Sequence, residues 1–296
     1  MSSPFLRNRT RRLAIKAGEA IAASATPAAP DAKTESGQEY AALKVRLDDQ
    51  LRQLADVDSH EARQPMKAQF AAGYLDWLRG IVEADQPVQD EILLTNMVWA
   101  IDYGNFPLAV WLGAFALKHG LQMPERYKRS VACFLREDIA EAAIADPEAV
   151  DLELLAAIDE LTAGADMPDP AKAKLHKALG RAWRVKADAF DAADDSAPAG
   201  GKAAFVQAAL DQLRRALKLD QKAGVKKDIE QLERQLRDLA PPPESQSGEP
   251  DTQNTSGDGA KAPAQTEPAK VATEAKPKPA AKPAPKKRPD RRAKKN

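Results

Sequence analysis

At 296 residues, the chain is long enough for one large domain or two small ones. Its composition, 43% hydrophobic but only 5% aromatic, disfavours sheets and favours helices, so we expect an all-α fold of helical hairpins or a bundle. A single cysteine, Cys133, excludes an internal disulfide and a multi-cysteine zinc site, and no apolar run approaches the length of a membrane span.

The formal net charge of zero hides an uneven distribution of charge along the chain. Residues 1–16 carry five basic side chains and no acidic one, residues 275–296 carry ten basic and one acidic, and the remainder is net −14. This pattern predicts two cationic arms on an acidic body. Such arms suit a polyanion such as double-stranded DNA, because every phosphate that they neutralise releases a condensed counterion. The alternative is a tail that only keeps the protein soluble.

The first predicted element is a basic helix, joined to the body by a linker at about 25–38, so that residues 1–38 form one segment. Base-specific readout requires an ordered element in a groove of the duplex, and this helix is the better candidate for that role. The flexible basic tail offers contacts to phosphates only. The candidate DNA-binding residues are Arg7, Arg9, Arg11, Arg12 and Lys16 in the helix, and Lys286, Lys287, Arg288, Arg291, Arg292, Lys294 and Lys295 in the tail.

A long helix is predicted from Glu39, where apolar residues recur at steps of three and four. They form a narrow seam of the coiled-coil type, which needs a partner helix in this chain or in another one. The seam predicts an oligomerisation helix over residues 39–64, which ends where Gln64-Pro65 interrupts it. Its candidate contact residues are Leu43, Leu47, Leu51 and Leu54.

Residues 65–240 are predicted to form a helical core domain. A helix at about 66–83 presents a wide apolar stripe, and the apolar segment 91–124 splits at Gly104 into two helices that we expect to pack as a hairpin. After Pro241 the chain turns to low complexity, and we expect residues 241–296 to be a disordered basic tail. Further helices are predicted at about 128–145, 151–163 and 169–187, and in a tetratricopeptide-like pair broken at Gly224.

Few side chains offer catalytic chemistry. The chain has no glycine-rich phosphate loop of the GxxxxGK[ST] type, which argues against ATP hydrolysis, and its three histidines have no metal-ligand spacing. Carboxylates cluster on one helix at Glu137, Asp138 and Glu141, and on a loop at 188–195. Either cluster is a candidate for holding Mg²⁺ to cleave a phosphodiester, although acidic clusters on exposed helices and loops are usually just solvated.

Three stretches of the chain resemble the small terminase subunit of temperate contractile-tailed phages that package DNA from cohesive ends. They read DEILLTNMVWAIDYGNFPLAVWLGAFALKHGLQMPERYKR (90–129), ELTAGADMPDPAKAKLHKALGRA (160–182) and LDQKAGVKKDIEQLERQL (219–236). The resemblance covers roughly residues 40–240 and extends to the layout of a basic N-terminus and a basic tail. The loop at 188–201 and the longer tail depart from the family pattern.

The resemblance implies a protein that binds phage DNA near the packaging site, forms a ring-like homo-oligomer, and recruits a separate large terminase subunit that carries the ATPase motor. Members of this family are often described as endonuclease subunits, so a second hypothesis is that the chain itself cuts cohesive ends with a divalent metal. A third is a non-enzymatic helical scaffold for protein interactions. We expect no cofactor, with Mg²⁺ required only by the second hypothesis, no membrane partner, and a location in the cytoplasm of a bacterial host.

Overall fold

The computed structural model of the chain describes residues 4–21, 27–191 and 201–239. Over these ranges the fold is all-helical, as predicted, with eleven α-helices and no strand, only an isolated bridge between Ala28 and Val88. The helices are α1 Pro4–Ile21, α2 Glu35–Ala55, α3 His60–Ala71, α4 Leu75–Ala84, α5 Glu91–Asp102, α6 Phe106–Lys118, α7 Val131–Ala145, α8 Leu152–Leu161, α9 Asp169–Asp188, α10 Gly201–Leu219 and α11 Lys226–Leu239.

Side-chain caps set the starts of most of the central helices. In each case an oxygen of the capping residue accepts a hydrogen bond from a backbone amide of the first turn, which would otherwise have no partner. As a result α2 begins at Glu35, four residues before the predicted start. The capping residues are Thr34, Ser59, Asp90, Asn105, Ser130 and Asp151.

The predicted break at Gln64-Pro65 is wrong. α2 ends at Ala55, and the cap at Ser59 begins a new helix that contains Pro65. A proline in the second turn removes one backbone hydrogen bond, and α3 continues to Ala71 despite that loss. The helix predicted at about 66–83 is in fact parts of α3 and α4, which a turn at 72–74 separates.

The apolar seam of α2 faces the core of its own chain. Leu47 is fully buried, Leu43 and Leu54 are nearly so, and Leu51 is partly buried against the same core. Of the two partners that the sequence left open, the seam therefore packs against helices of the same chain. Contact between copies through these four leucines stays a prediction, but in this structure their side chains are already covered.

The hairpin predicted between residues 91 and 124 is formed by α5 and α6. Gly104 and Gly120 end the two helices in the left-handed region, with φ of +82° and +64°, where a side chain would be strained. Every residue of α5 from Ile92 to Ile101 is buried, so α5 is the central helix of the core.

A buried polar contact ties α4 to α5. The indole nitrogen of Trp77 donates to one carboxylate oxygen of Asp90 at 2.7 Å, and the other oxygen accepts from the amide of Leu93 at 3.0 Å. Both side chains are fully buried. Burial raises the pKa of Asp90 to about 6, because the two donors offset only part of the cost of removing a carboxylate from water.

A second buried polar network joins α7, α8, α9 and α10. Arg136 is only 4% exposed; it is paired with Asp159 and donates to Oγ1 of Thr162 at 3.0 Å and to Nε2 of His176 at 3.3 Å. Because a guanidinium only donates, Nε2 of His176 is an acceptor, and its Nδ1–H donates to Gln212 at 2.8 Å. His176 is therefore neutral, in agreement with burial lowering the pKa of His176.

The C-terminal helices have an apolar cluster of their own. α10 packs against α9 and α11, and Leu210 and Leu213 of α10 share a cluster with Ile229 and Leu232 of α11. Trp183 of α9 contacts both this cluster and the main core. We call α9, α10 and α11 the C-terminal layer.

Candidate nucleic-acid interface

The basic N-terminal helix that the sequence predicts is present as α1, and it is docked on the body. Leu13, Ala14 and Ala17 are buried against the core. The crossing with α4 is tight: a Cβ atom at Gly80 would lie 2.4 Å from the carbonyl oxygen of Arg11 and 2.5 Å from the Cβ of Ala14. Only glycine leaves room for α1 at this distance, so the close crossing fixes the position of the α1 backbone on α4.

Two of the predicted DNA-binding arginines are engaged by carboxylates of neighbouring helices. Arg9 donates to Glu35 and to Glu39 of α2, at 3.2 Å in each case. Arg11 forms a two-bond pair with Glu83 of α4, with Nε at 2.8 Å from the nearer oxygen. These pairs join α1 to both helices that it crosses.

The other three cations of α1 are available to a ligand. Arg7, Arg12 and Lys16 are exposed and have no ion-pair partner within the part of the chain that the structure describes. Arg9, Arg12 and Lys16 follow one another at steps of three and four, so they share a face of the helix. They line a cleft of about 310 Å³ together with Asn8, Leu13 and Glu35. An anion entering this cleft meets three cations and one carboxylate.

The basic residues predicted in the tail lie outside the described residues. Their role in DNA binding stays a prediction, and the candidate interface is built from α1 alone. The seven positions concerned are Lys286, Lys287, Arg288, Arg291, Arg292, Lys294 and Lys295.

The acidic residues proposed for catalysis are paired with cations. Arg129 binds Asp138 through two nitrogens and also reaches Glu137 at 3.2 Å, while Lys174 donates to Glu137 at 2.8 Å and to Glu141 at 3.3 Å. The hydrogen bond from Lys174 lowers the pKa of Glu137, whereas burial raises the pKa of Asp138. Each carboxylate that would bind a metal is therefore already paired with a neighbouring cation.

No group of three or more His, Cys, Asp or Glu side chains is placed to hold a metal ion among the residues that the structure covers. In the second acidic cluster, Asp188 lies 3.8 Å from Arg184, and Asp194 and Asp195 fall outside the described ranges. Whether Glu137, Asp138 or Glu141 takes part in catalysis remains a prediction.

The stretch that was counted as one acidic body contains two regions of opposite net charge. Residues 27–168 carry 25 acidic and 12 basic side chains, whereas residues 169–188 and 201–239 together carry 15 basic and 8 acidic ones. The C-terminal layer is thus net +7 on a body that is net −13. The spacing of cations along α9 indicated this basic region, but a single charge count over the whole stretch concealed it.

Comparison with known proteins gives two concordant matches. A family model described as the phage small terminase subunit matches residues 44–170. The "Terminase, endonuclease subunit" of Escherichia phage P2 is 39% identical over 210 residues, which are 70% of this chain and 77% of that protein. The chain belongs to the phage small terminase subunit family. As a small terminase subunit it acts in the packaging of phage DNA.

The family match leaves both basic surfaces of this small terminase subunit largely uncovered. α1, α10 and α11 lie outside residues 44–170, and α9 is inside only at its first two residues. No solved structure matches the chain. None of the helices described here has the length and apolar character needed to cross a membrane.

Proposed function

We propose that this small terminase subunit binds double-stranded phage DNA near the cohesive-end packaging site through α1, assembles with other copies, and brings the DNA to the large terminase subunit, which carries the ATPase motor. It works in the cytoplasm of the bacterial host. The observation that carries the proposal is the exposed face of α1. There Arg12 and Lys16, which have no ion-pair partner among the described residues, lie beside Arg9.

A docked helix can do what a flexible basic segment cannot. An α-helix is about 10–12 Å across, which fits the major groove of B-DNA, about 12 Å wide. Because α1 is held against α4, its basic face is presented without the entropy cost of ordering a free segment. Contacts to phosphates then fix the register of the helix on the duplex, and any side chain that reaches a base edge adds specificity.

Assembly multiplies a contact that is weak in one copy. Once one subunit holds the duplex, its neighbours in an oligomer bind at a high effective concentration, so the affinity of the assembly exceeds that of a single chain. Because the leucines of α2 are covered within the chain, we infer that copies meet through a different surface. The basic tail adds phosphate contacts that do not depend on sequence.

The second candidate function is DNA cleavage by this chain, which the name of the phage P2 relative, an endonuclease subunit, favours. Against it stands the pairing of Glu137, Asp138 and Glu141 with Arg129 and Lys174, since a metal ion would have to displace both cations. We therefore propose that this subunit selects the site and that the large subunit cuts. The chain then needs no metal of its own, and nicking of cohesive-end DNA by the purified chain with Mg²⁺ would favour the endonuclease instead.

The test is the affinity of the full chain for a duplex that contains the cohesive-end site, measured by fluorescence anisotropy at several salt concentrations. Replacing Arg12 or Lys16 with glutamine should lower the salt slope of log K by about 0.9 for each phosphate that the variant no longer neutralises. The matched control is Arg52→Gln, an exposed arginine of α2 that is paired with Asp49.

Equal slopes for the α1 variants and the control would contradict the proposed role of α1. Deletion of residues 275–296 distinguishes the proposed function from the scaffold hypothesis. If the deletion leaves the affinity and the salt slope unchanged, the tail serves only for solubility. The mass of the protein in solution, with and without this duplex, tests assembly and ligand together.

A further inference from the structure

The C-terminal layer carries a row of cations along one face of α9. Lys177, Arg181 and Arg184 are separated by four and three residues, so their side chains lie above one another on the same face. All three are directed toward α11 and the turn before it: Lys177 donates to the carbonyl oxygen of Ala223 at 2.8 Å, and both arginines reach Asp228 at 3.5 Å. We call these three residues the α9 row.

The α9 row has too few carboxylates for its charge. Arg181 and Arg184 share the single carboxylate of Asp228, and Arg184 has one further contact, with Asp188 at 3.8 Å. Lys177 has a backbone carbonyl as its hydrogen-bond partner and no ion pair among the described residues. Burial, and then the charge of Arg181, lower the pKa of Lys177, as expected where positive charge is not neutralised.

Other cations of α9 differ from the row in this respect. Lys186, on the opposite face of the helix, is paired with Glu153 at 2.6 Å, and Lys174 has two carboxylates of α7 within 3.3 Å. The shortage of carboxylates is therefore a property of the row and not of the whole helix.

We propose that the α9 row contacts successive phosphates of duplex DNA, so that each subunit holds the DNA at a second surface besides α1. This inference rests on the proposed function, that the subunit binds duplex DNA. Seven residues of α-helix rise about 10.5 Å, and the charges of one DNA strand follow at about 3.4 Å along the duplex axis, so the row is long enough for about three phosphates. Guanidinium groups suit the site, because their planar fork matches two phosphate oxygens at once.

Asp228 acts in this proposal as the internal competitor of the phosphates. While it occupies both arginines, the row presents only part of its charge. Removing the charge of Asp228 without changing its shape releases Arg181 and Arg184, and DNA binding should strengthen.

The experiment measures the affinity of the full chain for the same duplex at several salt concentrations, with four variants. Lys177→Gln should lower the salt slope by about 0.9, and Lys177→Arg should restore it, because the arginine keeps the charge. Asp228→Asn should steepen the slope by up to about 1.8, for two released arginines. The control Lys186→Gln makes the same change of net charge on the opposite face and should leave the slope within error of the wild type.

Several results would overturn the inference. Equal slopes for Lys177→Gln and Lys186→Gln would show that the row is not a DNA contact, and the row would then be open to an acidic protein partner. Weaker binding by Lys177→Arg, equal to that of Lys177→Gln, would assign Lys177 to folding of the turn at Ala223. If variants of Arg12 and Lys16 lower the slope while Lys177→Gln does not, the function through α1 stands and this inference fails. If the wild type does not bind the duplex, both fail together.

Discussion

Replacing Gly80 with alanine adds one methyl group where α4 passes beneath α1. The new Cβ atom would lie 2.4 Å from the carbonyl oxygen of Arg11 and 2.5 Å from the Cβ of Ala14. Carbon atoms in contact are ordinarily about 3.5–4.0 Å apart, so the two helices would have to separate by roughly 1 Å. The neighbours are a backbone atom and a side chain without rotamers, which means that no flexible group can move aside.

Overpacking of this kind costs about 1–3 kcal/mol. Alanine also strengthens α4 by about 1 kcal/mol through its helix propensity, but α4 keeps that gain whether or not α1 is docked. The whole cost therefore falls on the docking of α1. We expect the equilibrium between docked and released α1 to shift by about fivefold to 150-fold toward release.

Hydrogen–deuterium exchange measures this shift. Amides of α1 should lose protection by that factor, while amides of the central helix α5 change little, because local release does not require global unfolding. The control is Gly164→Ala, since a Cβ atom there would have nothing within 4 Å and the backbone is not in the left-handed region. Wild-type protection of α1 in the Gly80→Ala protein would refute the reasoning and show that α1 does not cross α4 at so short a distance.

Two further predictions concern the core. Leu47→Ala should lower the free energy of unfolding by about 2–5 kcal/mol in urea denaturation, because Leu47 is fully buried within one chain. The control is Val45→Ala on the same helix: Val45 is 69% exposed, so this change should alter the free energy of unfolding by about 0.5 kcal/mol or less. A Leu47→Ala protein of unchanged stability but smaller mass in solution would mean that the seam packs between chains. The half-buried His176 should make stability pH-dependent: its pKa is lowered in the folded state, so the unfolded chain takes the proton first and stability falls as pH drops below about 6.5. His176→Gln removes that component, and stability curves of equal shape between about pH 5 and 7 would contradict the assignment.

Features that depend on local chemistry were predictable from the sequence. The hairpin of α5 and α6 follows from Gly104, Asn105 and Gly120, whose conformations and caps act within a few residues of themselves. Gly224 separates α10 from α11 for the same reason. Pro65 led to the wrong prediction of a helix break. The effect of a proline depends on where its helix begins, and here the cap at Ser59 sets that start.

Features that depend on distant residues were not predictable. The seam of α2 has the spacing of a coiled coil, but whether its partner lies in the same chain is decided by how α1, α3 and α5 pack against it in the folded chain. The five cations of α1 look equivalent in the sequence, yet Glu35, Glu39 and Glu83 engage two of them and leave three free. The same holds for Glu137 and Asp138, which the sequence shows as an acidic cluster and the structure shows as ion pairs.

The carboxylates that engage arginines on both basic surfaces have a thermodynamic consequence. When Arg9 leaves Glu35 and Glu39, or when Arg181 and Arg184 leave Asp228, for a phosphate, one anionic partner replaces another. The free energy gained on DNA binding is then the difference between two ion pairings. When the DNA dissociates, each guanidinium pairs with its carboxylate again and is not left without a partner. Such contacts exchange easily, which suits the proposed role of a subunit that brings its DNA to the large terminase subunit and then releases it.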